Sequence, residues 1–180
     1  MIASDIETVH GAFTAAATEW PDRDMLNILP ETASIYGIAA GAMTYAAARE
    51  EVDALAGALS AAGYGKGHRV MLLLENRPSF FLWWLALNSL GAAVVPVNPD
   101  LREAELTYMI GHAEPALAVV LPGRVEGLRD AANMAGVEMP VIAPGEELPA
   151  PRDDARIALR DGSPVNAEAA LLYTSGTTGQ

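Results

Sequence analysis

Thr174, Ser175, Thr177 and Thr178 carry hydroxyls, Gly176 and Gly179 carry no side chain, and the six stand in one unbroken run. A strand-length apolar segment, Ala169-Ala-Leu-Leu-Tyr173, leads directly into them. Such a run gives up packing surface for mobile backbone and short donors. Glycines let backbone N–H groups converge on an anion, while Ser and Thr hydroxyls add donors or approach a metal ion bound to phosphates. The chemistry that fits is capture of polyphosphate oxygens, with Thr174 to Gly179 as the binding residues. Composition alone fits equally a surface turn rich in Ser, Thr and Gly, so the order of the residues has to decide.

The other chemistry-bearing residues read differently. Gly63-Tyr-Gly-Lys-Gly67 lacks the G-x-G-x-x-G spacing and follows a helix, whereas a dinucleotide loop must follow a strand so that the next helix aims its N-terminus at the pyrophosphate. It reads as a helix-ending turn. No G-x-x-x-x-G-K-[ST] occurs, so a Walker-type site has no support. His10, His68 and His112 are far apart, in no metal-ligand spacing, and read as surface or packing residues. No metal site is expected from them. The pairs Glu50-Glu51 and Glu146-Glu147 read as solvated carboxylates. Trp83 and Trp84 are neighbours on one helix and face different ways, so at least one serves packing. No general acid, base or nucleophile stands out, and the expected catalytic set within these residues is empty.

The elements that must position the hydroxyl run are legible from periodicity. An amphipathic segment opens at about Ile6 to Trp20, and Asp24 to Leu29 and Ser34 to Tyr45 read as short strands, with Gly41 and Ala42 at a turn. From Tyr45 the spacing of Val52, Leu55, Ala56, Leu59 and Ala62 predicts a helix capped by Thr44 and ended by Gly63. The apolar run Arg69 to Leu74 predicts a buried strand. Phe80 to Leu87 is apolar at every helical angle, which predicts a core helix opening near Pro78. Ala93 to Val97 is the next strand. Asp100 and Glu103 suggest a capping box for a helix whose Leu106, Met109, Ile110 and Ala113 share a face. Ala116 to Leu121, a helix through Val125, Leu128 and Ala132, and Met139 to Ala143 continue the alternation. It predicts an α/β fold, a mainly parallel sheet with helices on both faces, with a small antiparallel addition from the early strands. The expected organisation is an alternating core over about 1–142, a Pro-rich connection over 143–164, and a strand with a cut phosphate loop over 165–180.

Composition narrows the function. The chain has 180 residues, 51% of them hydrophobic, and a formal charge of −12. That charge repels phosphate backbones and anionic bilayers, so no nucleic-acid or membrane partner is expected, and any bound anion needs a local device. There is no cysteine, which excludes disulfides, thiolate metal sites and thiol nucleophiles. Asn88, Ser89, Gly91 and Pro96 interrupt the apolar stretch from Phe80 to Val97 too early for a membrane span. The opening residues resemble no signal peptide, and a cytoplasmic location is expected.

Tyr173-Thr-Ser-Gly-Thr-Thr-Gly179 resembles the opening of the phosphate-loop signature of the adenylate-forming (AMP-binding) superfamily, which includes acyl-CoA synthetases, firefly-luciferase-like enzymes and peptide-synthetase adenylation domains. The Thr-Thr form looks more like the acyl-CoA ligase branch. Upstream, Met43-Thr-Tyr45, Gly65-Lys-Gly67 with Arg69-Val70, Asn76-Arg-Pro78, Ala86, Gly91-Ala92, Val95-Pro-Val-Asn-Pro99 and Glu105-Leu-Thr-Tyr108 follow in the superfamily's order. Ala46-Ala47 departs from it, since members often carry an acidic residue there. Members continue the loop with Pro-Lys-Gly, whereas this chain ends at Gln180 and its only lysine is Lys66. The later metal, adenine, ribose and catalytic-lysine segments have no counterpart.

The resemblance implies the N-terminal part of a longer carboxylic acid–CoA ligase. Its substrates would be ATP with Mg2+, a small carboxylic acid and coenzyme A, and the six loop residues would touch the ATP phosphates. It further implies that these residues alone are inactive and bind no cofactor tightly, and that apolar surface bared by truncation supports a homodimer. Two alternatives stand beside it: another branch of the superfamily that transfers or oxidises the acyl group, and a non-catalytic, self-associating module.

Overall fold

The computed structural model describes residues 6–152 and 168–174. Its centre is the strand β3 (Arg69–Leu73), whose residues from Val70 onward are wholly buried. It pairs in parallel with β4 (Ala93–Pro96) on one side and with β5 (Leu117–Val120) on the other, and β5 pairs in parallel with β6 (Val141–Ile142). The order β4-β3-β5-β6 places the first crossover in one direction and the next two in the other. Because such crossovers share one hand, reversing the direction puts the intervening helices on opposite faces.

The side chains record this. In β3, Val70 and Leu72 point into the layer of α1 (Val9–Glu19), α3 (Tyr45–Ala62) and α4 (Pro78–Ser89), while Met71 and Leu73 point into that of α5 (Glu103–Ala113) and α6 (Val125–Ala135). A strand covered on both faces has no polar side to show, which is why Val70 to Leu74 is apolar without alternation. The predicted α/β architecture with helices on both faces is the observed one. Among the described residues no helix is long and apolar enough to cross a membrane.

Local chemistry explains where the elements start and stop. The Thr44 hydroxyl accepts from the Ala47 N–H at 3.2 Å, capping α3. Gly63 ends that helix with φ of 100°, letting its own N–H reach the Ser60 carbonyl at 3.0 Å and the Tyr64 N–H reach Leu59 at 2.9 Å. Pro78 occupies the first turn of α4, where no N–H is required.

Three expectations need correction. Ser34 to Tyr45 is not one strand: Pro30 and Glu31 open a short helix, α2 (Pro30–Tyr36), left-handed Gly37 closes it, and only β2 (Gly41–Thr44) is extended. Gly41 and Ala42 are therefore not a turn. They pair with Ile28 and Asn27 of β1 (Asp24–Ile28) in the antiparallel two-stranded sheet. The carboxylate that closes the N-terminus of α5 belongs to Glu105, which accepts from the Arg102 N–H at 2.9 Å, and not to the Asp100 and Glu103 pair. Asp100 instead donates its N–H to the Asn98 side chain at 2.9 Å, so the chain is still turning there.

Candidate functional site

The segment that leads into the hydroxyl run lies along the free edge of β4. Val94 and Ala170 form a parallel bridge, with the Val94 N–H donating to the Ala169 carbonyl at 3.1 Å and the Leu171 N–H donating to the Val94 carbonyl at 2.9 Å. Being parallel, the segment delivers Thr174 at the carboxyl ends of the strands, the edge where open α/β sheets bind ligands. Of the six predicted binding residues only Thr174 is described, and it is exposed. Ser175, Gly176, Thr177, Thr178 and Gly179 lie outside the described residues, as does the stretch 153–167 of the expected Pro-rich connection. The described part of that connection, 143–152, contains one turn and no helix or strand.

A bridge of one residue pair is a weak hold, and side chains supplement it. The Arg69 guanidinium grips the Glu168 carboxylate through two parallel hydrogen bonds of 2.6 and 2.8 Å, and donates a third to the Ala113 carbonyl at 3.2 Å. Bonding to Glu168 raises the pKa of Arg69 further against the effect of its own burial. Asn88 ties the same segment from the opposite face, donating to the Ala92 carbonyl at 3.1 Å and the Ala169 carbonyl at 3.0 Å while accepting from the Trp84 indole at 3.0 Å. At the far end the Tyr173 hydroxyl is 2.6 Å from Nδ1 of His112. Partial burial raises the Tyr173 pKa, with Arg69 pulling the other way.

Sequence reasoning passed over these holding residues. Arg69 heads an apolar strand, and 99 positions separate it from Glu168, as 61 separate His112 from Tyr173. No local periodicity connects residues so far apart. Arg69 at the start of a fully buried strand was the one available signal, since a charge there needs a partner.

At the same carboxyl edge a cleft of about 340 Å³ opens among Tyr36, Glu75, Asn76, Phe80, Asn98 and Pro99. Glu75 has φ of 57°, a left-handed conformation unusual for a side chain with a Cβ. Its carboxylate bonds Arg77 at 3.1 Å, and Arg77 also donates to the Tyr36 carbonyl at 2.8 Å and lies over the Tyr36 ring. Arg77 thus fastens α2 to the corner between β3 and α4 and is already engaged.

The remaining candidates take structural places. His68 is buried, and its Nδ1 accepts from the Gly65 N–H at 3.1 Å, which makes it part of the turn after α3. His10 packs beside Phe13, and burial lowers its pKa despite the pull of Asp53. Trp83 is core, whereas Trp84 belongs to the Asn88 tie. Among the described residues no three His, Asp or Glu side chains come together as metal ligands.

Comparison with known proteins gives the family. The profile of the AMP-binding enzyme family matches residues 13–180. The chain is 30% identical over 179 residues to the sulfoacetate–CoA ligase of Cupriavidus necator, covering 96% of this chain and 33% of that enzyme. It is 29% identical over 149 residues to the crotonobetaine/carnitine–CoA ligase of Salmonella paratyphi A, covering 75% and 28% respectively. The apo structure of MbtA from Mycobacterium smegmatis superimposes with a TM-score of 0.74 over 97% of this chain and 32% of that one, at 23% identity, a likeness of fold. The chain thus spans about a third of the length of such relatives. With a profile match over nearly its whole length and a parallel sheet of the same fold, the chain belongs to the AMP-binding enzyme family.

Proposed function

We propose that the chain is the phosphate-receiving front part of an ATP-dependent carboxylic acid–CoA ligase. In the first half-reaction a carboxylate oxygen bonds to the α-phosphorus of ATP while the bond from that phosphorus to the bridging oxygen breaks, and pyrophosphate leaves with the electron pair. In the second, the sulfur of coenzyme A bonds to the acyl carbon, AMP leaves, and the thiol proton passes to solvent or a base. A carboxylate is a weak electrophile, so the protein must align two anions and stabilise charge building on the phosphates.

Thr174, Ser175, Gly176, Thr177, Thr178 and Gly179 are assigned to the β- and γ-phosphates. Their hydroxyls and backbone amides supply neutral donors in a chain whose net charge of −12 would otherwise repel the nucleotide. Magnesium entering with ATP neutralises part of the triphosphate charge. The observation that carries the reading is the delivery of Thr174 to the carboxyl edge by a segment parallel to β4. Kinship to CoA ligases supports coenzyme A as the acceptor and a small carboxylic acid as the substrate.

The test is pyrophosphate release by the full-length protein, supplied with MgATP, coenzyme A and a panel including sulfoacetate, crotonobetaine, 2-succinylbenzoate and fatty acids. Release that depends on one class of acid, accompanied by loss of free thiol, is expected. Release without thiol loss would overturn the assignment to CoA ligases, and no release with any acid would overturn acid activation. The 180 residues alone are expected to release no pyrophosphate above a no-enzyme control.

A further inference from the structure

We infer that His112 is a positioning residue for Thr174, acting through the hydroxyl of the preceding Tyr173. Backbone pairing holds this segment only around Ala170, and Leu172 is 65% exposed, so its side chain adds little packing. Leu171 and Tyr173 also pack against the core on the α5 and α6 side, and next to Thr174 the Tyr173 hydroxyl lies 2.6 Å from His112 Nδ1.

The imidazole is itself fixed on two sides. The Tyr108 ring stacks on it at 6.0 Å with 16° between planes, and the Tyr173 ring meets it edge-on at 5.7 Å and 84°. Beneath these rings α5 is anchored in the core, with Leu106, Met109, Ile110 and Ala113 all buried. The same helix end also secures the start of the segment, because Arg69 joins Glu168 to the Ala113 carbonyl. One helical turn therefore holds residues 168 and 173, the two ends of the stretch that delivers Thr174. A site that must meet phosphate oxygens within a fraction of an ångström needs such fixed support.

The inference rests on the proposed nucleotide reading only for its second arm. The first arm is amide hydrogen exchange on the 180-residue chain. His112→Ala and Tyr173→Phe should each speed exchange of peptides covering 168–174 by about fivefold or more, the loss of one hydrogen bond, while peptides from β3 and β5 stay unchanged. His112→Asn, whose amide nitrogen overlays Nδ1, should restore slow exchange, and His112→Gln, whose amide overlays Nε2, should not. Should His112→Ala loosen the whole chain, Tyr173→Phe, which keeps the ring, decides alone.

In the second arm, MgATP affinity of the full-length protein should fall about tenfold in His112→Ala and Tyr173→Phe and return in His112→Asn, with the KM for the acid unmoved. Exchange at wild-type rates in both variants, or equal rescue by Asn and Gln, would overturn the inference. A wild-type protein without MgATP affinity would overturn the nucleotide reading, while the exchange arm would still decide the role of His112.

Discussion

Arg69 and Glu168 make the strongest polar contact to the segment before the hydroxyl run, and both side chains are partly shielded, at 17% and 33% exposure. Removing the guanidinium leaves the Ala113 carbonyl and the Glu168 carboxylate without that donor. Hydrogen bonds to charged groups contribute about 1.5–3 kcal/mol each, and partial exposure lowers the yield. Arg69→Met should therefore destabilise the chain by about 2 kcal/mol in urea unfolding, and Glu168→Gln by less, since its amide keeps an acceptor. Tyr64 presents the opposite case. It is buried, its hydroxyl finds no partner among the described residues, and burial pushes its pKa up from 10 to about 12. Below pH 10 the phenol is protonated in both states. Between pH 10 and 12 the unfolded phenol loses its proton while the folded one keeps it, so stability falls as pH rises through this window. Tyr64→Phe should weaken that dependence, leaving the share of Tyr173, whose pKa is also raised, and, by removing an unsatisfied buried hydroxyl, raise stability at neutral pH by about 1 kcal/mol.

At the scale of elements, the middle of the chain was legible because one requirement dominates each piece. Val70 to Leu74 must be apolar on both faces, α4 must be apolar all round, and both are so in sequence as in structure. The early region was not legible in the same way. Helix α2 has only seven residues, too few for periodicity to show, and its signals are the single Pro30 and Gly37. The cap of α5 was misplaced by two residues because several acidic side chains compete for the role and only the turn at Asn98 decides among them. The strand expected over Ala169 to Tyr173 is only an isolated parallel bridge at Ala170, and its fastenings to α5 and β3 were not readable, being set by the order of strands in the sheet. Helix α3 offers a clean test of this local reading. Gly57 lies inside it with right-handed backbone and open space at a Cβ, whereas Gly63 is left-handed with the Pro151 ring 3.5 Å from where a Cβ would stand. Gly57→Ala should stabilise by about 0.5–1 kcal/mol, and Gly63→Ala should destabilise by at least about 1 kcal/mol, both measured by thermal or urea unfolding.

At the scale of the whole molecule, a doubly covered parallel sheet brings Thr174 to its carboxyl edge, and a net charge of −12 repels any anion that no local donors hold. Binding must therefore be local, and it should vanish when the local donors do. Removing one donor aimed at developing charge typically lowers kcat by about 10²–10³. The direct measurement is acid-dependent pyrophosphate release by the full-length protein and its Thr177→Val/Thr178→Val variant, with MgATP and the best acid of the panel. Release by the wild type and a loss of at least about 100-fold in the variant are expected, with folding unchanged by circular dichroism. Equal rates in the two proteins would contradict the assignment of the hydroxyl run to the phosphates of ATP.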